Sequence, residues 1–189
     1  GLMTGAVTVT VPPQIEAAIK SASARTGTGF DYLLETAIRE SGLKPQAKST
    51  SSSATGLFQF VEQTWLKTVQ TSGARHGLAT QAAAISRDAQ GRYDVADPQV
   101  RQEILALRND PRIAAAMAGE LTRANELVLR AALGRAPSGG ELYIGHFLGA
   151  RGASRLIRAA GNDGQALAST QFPAAAKANP AIFNRADGT

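Results

Sequence analysis

A carboxylate, a hydroxyl and an amide stand in two short runs within the first third of the chain: Arg39-Glu40-Ser41-Gly42-Leu43 and Gly56-Leu57-Phe58-Gln59-Phe60. A glutamate can give and take a proton, a serine can hydrogen-bond beside a reacting bond, and a glutamine offers a donor and an acceptor. The chain has no cysteine, which excludes a thiol nucleophile, a thiolate zinc site and a disulfide scaffold. No Gly-x-Ser-x-Gly elbow, P-loop or Rossmann fingerprint occurs. Asp88, Asp94 and Asp97 are spaced rather like an oxygen-ligand loop but lack the glycine and the glutamate of an EF-hand, so no metal is expected.

The elements that must position these groups read as helices. Phe30, Leu34, Ala37, Ile38 and Ser41 share one face, which predicts a helix from Phe30 or Asp31 to Ser41, stopped by Gly42 and Pro45. At 100° per residue from Leu34, Glu40 falls at 240° and Leu33 at 260°, so the carboxylate borders the apolar stripe. Glu35 falls at 100°, on the solvent side by this reckoning. A glutamate beside buried surface at a helix C-terminus meets desolvation and the wrong dipole end, and both favour the protonated form a general acid needs. The plainer alternative is a partly exposed Glu40 paired with Arg39, Lys44 or Lys48.

Upstream, an extended leader over 1–13, whose Gly1-Leu2 start reads as a cloning remnant, precedes Ile15, Ala18, Ile19 and Ala22 at helical spacing. Residues 14–189 are expected to form one domain. The polar run Lys48 to Thr55 reads as a functional surface loop, with a small hairpin expected over residues 44–55. Trp65, Leu66 and Val69 mark the next helix, and the aromatics Phe58, Phe60 and Trp65 are expected in the core. Residues 71–97 read as irregular apart from a short helix near Ala82 to Ser86. Asp110-Pro111 starts a long helix, and Ser138-Gly-Gly-Glu141 is a capping box for another. Short helices and turns are expected around Phe172-Pro173 and Asn179-Pro180. The fold class is mainly α.

The 20 Lys+Arg and 15 Asp+Glu give a net charge of +5, but the basic residues are spread rather than massed, so no nucleic-acid partner is expected. No apolar run is long enough to span a membrane.

Glu40-Ser41, a polar loop, then Ala54-Thr55-Gly56-Leu57-Phe58-Gln59-Phe60 and Thr64-Trp65 resemble the paired signature of the soluble lytic transglycosylases of the lysozyme superfamily. The close resemblance covers about residues 30–68. It implies a lysozyme-like α-helical domain with at most a small hairpin beside the cleft. Position by position, it implies that Glu40 is the acid/base, that Ser41 and Gln59 contact the glycan, and that Gly56 lets the backbone approach it. The family's third motif, an Ala-Tyr-Asn-type segment, is departed from: the counterpart is Gly145-His146-Phe147-Leu148-Gly149, with His146 at the tyrosine position. Tyr143, three residues earlier, is the other candidate for the missing hydroxyl.

The resemblance implies cleavage of the β-1,4 bond between N-acetylmuramic acid and N-acetylglucosamine with closure of a 1,6-anhydro ring, and no cofactor. Peptidoglycan strands are the implied partner, with an envelope-spanning machine such as a flagellar or secretion system as a second. A monomer acting in the periplasm or cell envelope is expected. A hydrolytic muramidase and a non-catalytic peptidoglycan-binding module remain as alternatives. Retaining and inverting glycosidases use two carboxylates, whereas the stretch from 44 to 60 contains no Asp or Glu.

Overall fold

Proline, glycine and short polar caps cut the chain into eight α-helices among the residues described by the computed structural model, 2–4 and 7–160. In chain order these residues form β1 (Leu2–Thr4), β2 (Val7–Val9), α1 (Pro13–Thr26), α2 (Phe30–Ser41), α3 (Glu62–Ser72), α4 (Ala79–Ala84), β3 (Ile85–Arg87) and β4 (Tyr93–Val95). They continue with α5 (Pro98–Ala106), α6 (Pro111–Leu133), α7 (Gly139–Leu148) and α8 (Ala150–Ala159). The turns expected at Phe172-Pro173 and Asn179-Pro180 lie outside the described residues. Two compact units result, Pro12–Leu121 and Gly1–Val11 with Thr122–Thr189.

In the Pro12–Leu121 unit, α1 ends at Gly27 and α2 at Gly42, both left-handed caps. Ile19, Leu33, Leu57, Trp65, Leu66, Val69 and Met117 are fully buried and form the core. Burial of each is worth about 1.5–3 kcal/mol for an aliphatic side chain. Phe60 meets Trp65 edge-on at 4.9 Å, and the Trp65 indole N–H donates to the Ile104 carbonyl at 2.8 Å. The expected core role of these aromatics is what the structure shows.

Two expectations are corrected here. Residues 44–60 form no hairpin, only isolated bridges from Lys48 to Thr55 and from Thr55 to Phe60. Residues 71–97 are ordered instead: a 3₁₀ turn at Gly73–His76 and α4 lead into an antiparallel hairpin with Ile85 opposite Val95. That hairpin is held from α3 by amide clamps. Gln63 both donates to the Tyr93 carbonyl and accepts from its N–H, and Gln70 donates to the Ile85 carbonyl.

The three aspartates once weighed as ligands have local duties. Asp88 accepts two turn amides, Asp97 caps α5 through the Gln99 N–H, and Asp94 faces Arg101 at 3.6 Å. Within the same unit, Glu120 lies buried between Arg75 and the His76 imidazole. Burial raises Glu120, but the hydrogen bonds from Arg75 and His76 outweigh it and hold the carboxyl below its ordinary range.

In the second unit the strands β1 and β2 of the leader pair antiparallel, with Leu2 opposite Val9. Its helical part packs α7 against α8, with Leu129, Tyr143, Ile144, Ala153 and Ile157 buried. The capping box forms as read: the Glu141 N–H donates to Ser138 Oγ, and the Ser138 N–H donates to Glu141 Oε1 at 2.9 Å. Arg135 closes on the same carboxylate with two 2.8 Å bonds. Burial would raise Glu141, yet the Arg135 and Ser138 bonds win and lower it.

Candidate functional site

Glu40 is half-buried in the last turn of α2, as a residue bordering an apolar stripe should be. Immediately after it the chain turns sharply through two successive left-handed residues, Gly42 (φ 64°) and Leu43 (φ 67°). Leucine pays for this conformation with strain, and its buried side chain is what holds it there. Among the described residues the one other non-glycine with positive φ is Gln59, at 53°. One strained residue therefore lies within each of the two sequence runs that carry the candidate chemistry.

A single hydroxyl joins those runs. Ser41 Oγ lies 2.7 Å from the Leu57 carbonyl and 3.0 Å from the Ala37 carbonyl, so the end of α2 is tied to the Gly56–Phe60 arch. With its one proton committed to carbonyls, Ser41 can only accept from a ligand. Gln59 donates from Nε2 to the carbonyls of Ala47 (3.1 Å) and Gly56 (3.0 Å), which fixes the amide orientation. Its Oε1 is the atom left to accept.

Gly56 is required by internal packing. Its φ is 89°, and a Cβ there would overlap the backbone carbonyl of Arg108. Its own N–H donates to the Ala47 carbonyl at 2.7 Å, and its carbonyl receives the Gln59 N–H.

Two residues matter that the sequence reading missed. Glu35, expected on the solvent side, is 8% exposed, because Leu33 to Ala37 are buried in succession and α2 is covered on every side there. Burial pushes the Glu35 carboxyl above its ordinary value, nearby Asp31 adds to the rise, and Arg39 opposes it. Arg108, just after α5, is buried beneath the arch. Its Nη1 donates to the Ser53 (2.7 Å) and Phe60 (2.9 Å) carbonyls and its Nε to the Leu105 carbonyl (2.9 Å). Burial pulls its basicity down, with Glu62 opposing this and Arg101 adding to it. In the sequence, Leu107-Arg108-Asn109 carries no sign of this.

Tyr143 and His146 belong to the other unit. Tyr143 is fully buried in its core, His146 is half-buried, and their rings lie 6.3 Å apart. Among the described residues no group of three His, Cys, Asp or Glu is arranged to hold a metal, and no helix is long and apolar enough to cross a membrane.

A mainly α chain whose α2 delivers a glutamate beside a strained arch has the lysozyme-like architecture that the two runs implied. Residues 17–98 match the sequence model of the family described as Transglycosylase SLT domain. Both runs, with Glu40, Ser41, Gly56 and Gln59, lie inside the matched segment. The match supports a peptidoglycan-related function of the lytic transglycosylase kind, acting on the cell wall.

Proposed function

We propose that the protein is a peptidoglycan lytic transglycosylase, cutting the β-1,4 bond between N-acetylmuramic acid and N-acetylglucosamine and leaving a 1,6-anhydro end. The observation that carries this reading is the Ser41 to Leu57 bond, which locks the glutamate-bearing helix end to the Gln59 arch within the family-matched segment. In the proposed reaction Glu40 protonates the glycosidic oxygen as the C1–O4 bond breaks. The 2-acetamido oxygen of the substrate stabilises the cationic centre. The Glu40 carboxylate then takes the proton from the C6 hydroxyl as the C1–O6 bond closes, which restores the acid. Gln59 Oε1 accepts an N–H from an acetamido group, and Ser41 Oγ accepts from a sugar hydroxyl.

A hydrolytic muramidase of the common two-carboxylate kind uses a second carboxylate as nucleophile or base. Glu35 is biased by burial toward its neutral form, and Glu62 faces Arg101 at 3.5 Å. The stretch from 44 to 60 contains no Asp or Glu, and this favours the intramolecular route. His146 remains the proposed glycan-contacting residue of the third motif, with the fully buried Tyr143 as the other candidate for the missing hydroxyl. The proposed partners are peptidoglycan strands and an envelope-spanning machine, with a monomer working in the periplasm or cell envelope.

The test is Glu40→Gln. It removes the proton donor while keeping shape, and loss of about 10²–10⁴-fold in turnover of purified sacculi is expected with an unchanged fold. Wild-type lysis by this variant would end the assignment.

A further inference from the structure

The arch carrying Gln59 is hung from one guanidinium. Arg108 Nη1 bridges the Ser53 and Phe60 carbonyls, which stand on either side of residues 54–59, while Nε anchors the group to Leu105 on its own side. The backbone carbonyl of the same residue fills the space below Gly56 that any other residue would occupy. Within the spanned segment Gln59 is held in the left-handed region, and its Nε2 points at Ala47 and Gly56.

Burying a guanidinium without an ion-paired carboxylate is costly, and no salt bridge to Arg108 occurs among the described residues. A fold gains little from such a group unless its geometry is needed. A forked planar donor set reaches three carbonyls at fixed angles; a lysine ammonium, donating from one point, does not. Strain of the Gln59 kind persists only where the surroundings impose it.

We propose that Arg108 is a positioning residue: by clamping Ser53 and Phe60 it imposes the left-handed turn at Gln59 and so aims the amide oxygen toward the glycan. It touches no substrate and acts through Gln59. The ligand in this statement rests on the lytic transglycosylase reading, whereas the clamp itself does not.

The experiment uses the full chain with Arg108→Lys, Gln59→Ala and the double variant. One readout is affinity for a β-1,4-linked N-acetylglucosamine tetramer; the other is solvent exchange of the Gln59 side-chain amide protons by NMR. Each single variant should bind about tenfold more weakly, the factor carried by one well-made hydrogen bond. The double variant should be no weaker than either single one, because both act through one amide. The Gln59 amide protons should exchange faster in Arg108→Lys. Additive losses, or unchanged affinity and exchange in Arg108→Lys, would overturn the proposal.

If Arg108→Lys does not fold, native-state exchange of the wild-type protein decides. The Arg108 Nε–H and the Thr55 and Gln59 backbone amides should open together as one local unit. Opening of the arch while the Arg108 Nε–H stays protected until global unfolding would overturn the clamp. Failure of the wild-type protein to bind the tetramer would count against the proposed function alone, since the exchange readouts still decide on Arg108.

Discussion

Replacing Gly56 by alanine adds one methyl group at the tightest point of the arch. Residue 56 has φ 89°, where an L side chain costs about 1–2 kcal/mol. The new Cβ would also overlap the Arg108 backbone carbonyl, and a backbone group cannot swing aside as a flexible side chain can. Either the arch or the Arg108 turn must move, at about 1–3 kcal/mol for overpacking of this kind. The total is about 2–5 kcal/mol, against a typical stability of about 5–15 kcal/mol. For a chain of this length that lowers the melting temperature by roughly 4–20 °C. Thermal denaturation followed by circular dichroism reads the shift directly. Because the displaced arch carries Gln59, glycan affinity should fall as well, even well below the new melting point. A Gly56→Ala protein with wild-type melting temperature would refute the packing account of this glycine.

Further outcomes follow from the same geometry. The folded-state value of Glu35 is raised, so the stability it contributes is fully present below the ordinary carboxylate value and is lost as pH rises through the raised one. Glu35→Gln, neutral throughout, should therefore melt higher than wild type at neutral pH, with the advantage shrinking at acidic pH and activity little changed. A stabilisation that grows on acidification would reverse the sign and refute it. If His146 stands in for the family tyrosine, His146→Phe should cut turnover strongly while Tyr143→Phe, altering a fully buried ring, should shift stability more than turnover. The opposite ranking, from paired melting curves and sacculus digestion, would hand the role to Tyr143.

What the sequence disclosed were features whose signals are local. The glycine stops of α1 and α2, the proline start of α6 and the Ser138–Glu141 box all depend on neighbours within a turn or two, and all formed as read. Glu35 was misread because a helical wheel assumes one buried face, and Leu33 to Ala37 are covered on all sides. The β3–β4 hairpin left no pattern in strands of three residues; its register is held by Gln63 and Gln70 of α3. Arg108 carries no local signal, because its partners at Ser53 and Phe60 are 55 and 48 residues away. Of the site, Glu40, Ser41 and Gln59 were visible as types and spacing. The strain at Leu43 and Gln59, and the bond that ties the two runs together, exist only in three dimensions.

The central claim is that one carboxylic acid, Glu40, breaks the glycosidic bond and closes the muramic acid ring without water. Mass analysis of muropeptides released from purified sacculi tests it most directly. The account predicts products ending in 1,6-anhydro-N-acetylmuramic acid, each lighter by one water than its hydrolytic counterpart, and none released by Glu40→Gln. Reducing-end muramic acid products from the wild-type protein, carrying the full water, would contradict it.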